Sequence, residues 1–195
     1  MNPPDLSHFG FTTRGVWGSW AVFGPGHRCE VIGCTSHRYM LGRTWSARGR
    51  IATWIMLNPS KADERNDDPT LRKVMGFARR QHCAGVIVVN LFALVATDPT
   101  VLARSIRFND LDHTQGEYNG SIVLSAMLKA DLIVAAWGNL PGVAVRDSSA
   151  GVRALVAQAK PRCLGLTDRG EPKHPCRLAY SSRLVTFGPA EVGRS

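Results

Sequence analysis

The sequence predicts an α/β fold: three layers, α/β/α, around a central, mostly parallel four-stranded sheet, with a short β-rich addition at the N-terminus. Two observations carry this. From residue 51 onward, short apolar runs alternate with amphipathic stretches, the order that builds parallel sheets. The runs are continuously apolar, which suits strands covered on both faces. Within residues 1–50, "WAVFGPGHRCEVIG" holds two short runs around Gly24-Pro25-Gly26, a hairpin signal, and "RYMLGRTW" alternates like a strand. "RIATWIML" is the first strand of the α/β part. Asp68-Pro69-Thr70 then opens a helix, "PTLRKVMGFARRQH", with Asp68 as cap and Pro69 in the first turn. "GVIVVNLF" is the second strand, "NGSIVLSAMLKA" a helix, "DLIVAAWG" the third strand, "GVRALVAQAK" a helix and "PRCLGLT" the fourth strand. The expected organisation is one domain over 1–195, divided into a β-rich extension, 1–50, and an α/β core, 51–187.

Length supports a single domain: 195 residues bury most of their apolar surface without staples. The hydrophobic content of 44% is that of an ordinary globular chain, and no run approaches the ~18 apolar residues of a membrane span. The start, "MNPPDLSHFG", lacks the basic and apolar regions of a secretory signal. Five scattered cysteines suit reduced thiols. A cytoplasmic setting is the expectation. The charge points to a partner. Twenty-four Lys and Arg against fifteen Asp and Glu give +9, a balance that favours a polyanion such as nucleic acid.

In parallel sheets, ligands sit beyond the C-terminal ends of the strands. Those ends are polar here: Asn58-Pro59-Ser60, Asn90-Leu91, Trp137-Gly138-Asn139, and "DRGEPK" leading to His174-Pro175. Their order resembles the uracil-DNA glycosylase superfamily. "LNPS" matches its water-positioning Asp/Asn-Pro motif, "VVN" its base-reading Asn, "VAAWGN" its third strand end, and "HPCRL" its late "HPSPL" loop. The broader pattern "LNPS-AD … DDPT … VVNLFA … TDP … WGN … HP" resembles, more closely, a bacterial and phage family catalogued without an assigned function. Ser60 replaces the aromatic residue that blocks C5 of the pyrimidine in uracil-specific enzymes, so the resemblance implies room for a C5 substituent. Met56 and Leu57 replace the usual Gly and Gln. Cys176 and Arg177 depart from the His loop, and "SKADERNDDPT" has no clear counterpart.

The resemblance implies a monofunctional DNA glycosylase that hydrolyses the N-glycosidic bond of a modified, C5-substituted pyrimidine, in base-excision repair or phage defence. It works as a monomer without cofactor or metal, flipping the nucleotide out of DNA. Asn58 holds the water, and His174 stabilises the leaving base. An amide is a poor base, so Asp63, Asp67 and Asp68 are the carboxylate candidates. Asn90 reads the base edge. Pro59, Ser60, Phe92 and Asp68 complete the pocket, and Lys61, Lys173, Arg177 and the wedge Leu178 meet DNA. Arg72, Arg79 and Arg80 add backbone contacts or form a solvated helix face. Lys61 as a Schiff-base nucleophile is disfavoured by the water-holding Asn.

Structural readings stand beside these. Asn58 and Ser60 suit a turn, Asp67 and Asp68 helix caps, His174 a surface loop, and Leu178 and Trp137 packing. His27, Cys29, Cys34 and His37 form a conceivable zinc set with non-standard spacing. Two other functions remain open: a hydrolase or transferase of free nucleotides or nucleosides, and a silent nucleic-acid-binding module.

Overall fold

The computed structural model describes residues 1, 2, 4, 12–16, 18–24, 37–107 and 118–188. Among the described residues eight strands form one sheet: β1 (Thr12–Val16), β2 (Ser19–Gly24), β3 (His37–Thr44), β4 (Arg50–Met56), β5 (Cys83–Asn90), β6 (Leu132–Ala135), β7 (Arg162–Cys163) and β8 (Val185–Thr186). Their spatial order is β1-β2-β3-β5-β4-β6-β7-β8. The expected three-layer arrangement around a four-stranded, mostly parallel sheet is thereby corrected. The sheet is mixed, and four of its seven pairings among the described residues are antiparallel: β1 with β2, β2 with β3, β3 with β5, and β7 with β8. The physical reason lies in β3. All its residues but Thr44 are buried, and Leu41 to Thr44 pair antiparallel with Val88 to Gly85. Continuous apolarity reports that a strand is covered, not which way it runs. The region read as an N-terminal addition is therefore an integral part of the sheet.

Five α-helices among the described residues pack on the sheet: α1 (Pro69–Arg80), α2 (Pro99–Arg107), α3 (Asn119–Leu128), α4 (Val143–Ser148) and α5 (Ala150–Gln158). Period-two alternation persists inside the apolar strands. Trp54, Met56, Val86 and Val88 point to one core with Leu71, Val74, Phe77 and Ala78 of α1. Ile55, Ile87 and Val89 point to the other, with Leu102 and Ile106 of α2, Ile122, Val123 and Ala126 of α3, Val145 of α4 and Val156 of α5. Helix α1 begins as its sequence predicts: Asp68 Oδ1 accepts the Leu71 N–H at 2.7 Å, and Pro69 occupies the first turn. Helices α2 and α4 were not expected. The fourth predicted strand shrinks to Arg162–Cys163, because Gly165 takes a positive φ of 92° and the chain turns away. The second arm of the expected hairpin after Gly24 lies outside the described residues. No described helix is long and apolar enough to cross a membrane.

Candidate active site

The parallel neighbours β4 and β5 end side by side, with Met56 opposite Asn90. Their exit loops are then zipped together by backbone hydrogen bonds, Leu91 N–H to Met56 O at 2.8 Å, Phe92 N–H to Leu57 O at 3.0 Å and Ala96 N–H to Pro59 O at 2.9 Å. This zip holds Asn58 at the rim. Its Nδ2 donates to Ala96 O at 2.8 Å and Pro59 O at 3.0 Å. With the amide nitrogen spent on the loop, Oδ1 is the group left to accept from a ligand or water.

His174 reaches the same rim from the far side. Gly138, after β6, donates its N–H to Pro172 O at 2.9 Å, which docks the histidine loop on the strand end. Gly138 has φ of 74°, and a Cβ there would stand 3.2 Å from His174 Cβ; glycine meets both demands. Beneath it, Trp137 Nε1 donates to Glu171 Oε2 at 2.7 Å, and Glu171 pairs with Arg153 at 3.3 Å. The Cys176 N–H donates to His174 Nδ1 at 3.3 Å, which assigns the proton of the neutral ring to Nε2. Burial lowers the His174 pKa, partly opposed by the Asp68 carboxylate. The neutral ring is thus favoured, with an N–H to offer.

These residues enclose one cavity of about 640 Å³, a size suited to a small organic ligand. Asn58, Ser60, Asp68, Asn90, Trp137 and His174 all line it. Asn90 is 3% exposed, and its Nδ2 is buried without a hydrogen-bond partner among the described residues. A buried amide left unmade is costly, by about 1–3 kcal/mol. The site therefore calls for an acceptor on a ligand.

The remaining expected site residues separate from the cavity. Phe92 is fully buried in the core that contains α2 and α3, and Pro59 is buried without lining the cavity. The chain leaves the sheet at Asn90, so alternation no longer carries Phe92 to the same side. Asp67 Oδ1 is bound to Arg43 Nε at 2.8 Å. Asp63 accepts from the N–H groups of Arg65 and Asn66, each at 2.7 Å. Burial raises its pKa, but these bonds, the Asn66 side chain and Arg43 outweigh that and hold it below the usual carboxylate value. Both aspartates are loop fasteners, and Asp68 is the carboxylate at the cavity. Leu178 packs against the α1-side core instead of standing free, and its carbonyl accepts from Lys73 Nζ at 2.8 Å. Lys173 and Arg177 are exposed away from the cavity, and Lys61 lines an adjoining cleft. The conceivable zinc set lies outside the described residues apart from His37, and no metal-ligating group occurs among the described residues.

Among the cavity residues that the sequence reading missed, one is both buried and charged. Arg38 of β3 is 4% exposed and lines the cavity. Its guanidinium donates to Ala62 O through Nη1, while Nε has no partner among the described residues. Burial pushes its pKa down to about 10, with Asp68 opposing, Arg43 adding and Asp63 opposing. It remains charged at neutral pH. The signal was an arginine at the start of the otherwise apolar "RYMLG", read only as strand alternation.

No functionally curated protein matches the chain. Residues 38–176 match a family described as proteins of unknown function. The match begins at Arg38 and ends just beyond His174, so it spans every residue of the cavity just described. The chain belongs to the DUF1643 family.

Proposed function

We propose that this protein is a DNA glycosylase that hydrolyses the N-glycosidic bond of a C5-substituted pyrimidine, in a cytoplasmic setting. The observation that carries the reading is the buried, unpartnered amide of Asn90 in a cavity that also holds Asn58 and His174. A pyrimidine edge supplies the carbonyl acceptor this amide lacks. The strand-end resemblance to uracil-DNA glycosylases supports the same assignment of roles.

As the bond between the base nitrogen and C1′ breaks, positive charge grows on the sugar and negative charge on the base. The His174 Nε2–H offers a hydrogen bond to the base oxygen where that charge develops. The Asp68 carboxylate favours the sugar cation electrostatically. Asn58 Oδ1 accepts from a water, whose oxygen bonds to C1′ while its proton is released and the departing base takes up a proton. The products are the free base and an abasic site. Ser60 lines both the cavity and the adjoining cleft, so a small side chain stands where the two spaces meet. A side chain of that size leaves room for a polar C5 group.

The test is abasic-site formation on matched DNAs carrying uracil, thymine or 5-hydroxymethyluracil, by wild type and Ser60→Tyr. The expected result is faster release of the hydroxymethylated base, with the preference reversed or abolished in the tyrosine variant. Release of plain uracil at an equal or higher rate, unchanged by Ser60→Tyr, overturns the specificity. No abasic sites on any pyrimidine overturns the activity.

A further inference from the structure

A second cleft of about 420 Å³ adjoins the cavity. Arg38, Ser60, Ala62 and Thr97 line both, so the two spaces share a wall. The cleft adds Arg14 and Lys61, both exposed, to the buried Arg38. Two carboxylates also border it, Asp63 and Glu64. Asp63 is occupied by backbone N–H groups, and Glu64 lies 3.8 Å from Arg65.

The two arginines of β3 differ sharply. Arg43 is satisfied: Nε meets Asp67, Nη1 donates to Gly42 O, and Nη2 donates to Asp63 O and Asn66 O. Arg38 is equally buried, yet among the described residues no carboxylate stands within ion-pair distance and Nε has no partner. A buried charge is normally paired, because isolated burial is costly. Arg14 lies over the Phe23 ring at 4.9 Å, and neither it nor Lys61 forms an ion pair among the described residues. Three cations therefore border one cleft without an ion-pair partner among the described residues.

We infer that Arg38, with Arg14 and Lys61, forms an anion subsite that takes a phosphate group of the nucleotide whose base occupies the cavity. The placement of the base rests on the proposed function; the anion subsite rests on Arg38. A phosphate suits the trio because its several oxygens accept from a guanidinium fork and from two flanking cations at once. The phosphate belongs either to a DNA strand or to a free nucleotide, and these sources are separable.

The experiment titrates 5-hydroxymethyl-2′-deoxyuridine and its 3′- and 5′-monophosphates calorimetrically against wild type, Arg38→Met and the exposed double variant Arg14→Gln/Lys61→Gln. Inorganic phosphate is added separately while melting is followed. One monophosphate should bind wild type about 10- to 100-fold tighter than the nucleoside, the range of a charge-assisted contact. Arg38→Met should lose that advantage, and the double variant should lose part of it. Inorganic phosphate should raise the melting temperature of wild type and not of Arg38→Met. Equal binding of nucleoside and both monophosphates by wild type overturns the subsite, as does an undiminished advantage in Arg38→Met. If Arg38→Met does not fold, an undiminished advantage in the double variant overturns it. Arg38-dependent stabilisation by phosphate with no nucleoside binding keeps the subsite and removes the base reading. Nucleoside binding without any phosphate effect does the reverse. A neutral methylphosphonate beside the target base should slow excision about tenfold if DNA is the source. Unchanged excision, with monophosphate binding intact, assigns a free nucleotide.

Discussion

His174 and Asn58 do different things in the proposed chemistry, and their hydrogen bonds say which atoms remain available. Nδ1 of His174 accepts from the Cys176 N–H, and Nδ2 of Asn58 is anchored to Ala96 and Pro59. Nε2–H and Oδ1 are left. Replacing either residue by Ala should slow base release by about 10²-fold or more, with DNA binding nearly intact. Wild-type single-turnover rates in both variants would end the mechanism. The pH dependence follows from burial. The folded pKa of His174 lies below its ordinary 6.5, chiefly through desolvation, with Asp68 opposing. Between the two values the unfolded chain binds more protons, so this group's stabilising contribution is full above 6.5 and falls as pH drops through that window. The neutral ring is also the proposed donor. Base release should therefore be insensitive to His174 ionisation from about pH 6.5 upward. A rate that falls about tenfold per pH unit above 6.5, and loses that slope in His174→Ala, would require the cation instead.

At the start of α1, one side chain serves the element and the site together. Asp68 caps the helix through Leu71 and lines the cavity. Asp68→Asn keeps a good cap and removes the charge, whereas Asp68→Ala removes both. The expected outcome is a split. The Asp68→Asn protein should melt near wild type yet release base more slowly, and the Asp68→Ala protein should also lose about 0.5–2 kcal/mol of stability. Equal rates in Asp68→Asn and wild type would make Asp68 a cap alone. This helix was legible because Asp68-Pro69-Thr70 carries its own start signal. Asp98-Pro99-Thr100 carries the same signal, and Asp98 Oδ1 accepts the Thr100 N–H at 2.8 Å; the start of α2 was therefore legible too, although it was not expected. Other features were not legible. Nothing in "RYMLGRTW" says that β3 lies antiparallel beside β5, because pairing direction is set by which edges the whole chain leaves open. Arg38 gained its place at the cavity from that pairing. Asp63 and Asp67 looked like free carboxylates because their partners, the loop N–H groups and Arg43, appear only once the insert folds back on β3.

The N-terminal strands and the charge of the chain meet at the scale of the whole molecule. Strand β3 brings Arg38 and Arg43 to the polar insert, and β1 brings Arg14 to the adjoining cleft. The antiparallel half of the sheet thus extends the candidate site and is not a peripheral addition. The surplus of +9 is a sum over the whole sequence, so net charge alone does not locate a DNA surface. Arg79 and Arg80 of α1 are exposed, but lie over Trp45 at 4.6 Å and Tyr180 at 4.2 Å. Arg14, Lys61 and Arg169 border the cleft or cavity instead, beside the buried Arg38. If these four neutralise about four phosphates, affinity should fall about a hundredfold between about 50 and 200 mM salt, since each contact contributes about −0.9 to the logarithmic slope. The measurement is fluorescence anisotropy with a short labelled duplex across a salt series. Arg14→Gln and Lys61→Gln should each flatten the slope by about one contact, while Arg79→Gln and Arg80→Gln should leave it unchanged. Salt-independent binding would remove the electrostatic account. A slope that responds to Arg79 and Arg80, but not to Arg14 and Lys61, would move the DNA from the cavity mouth to α1 and separate binding from the proposed chemistry.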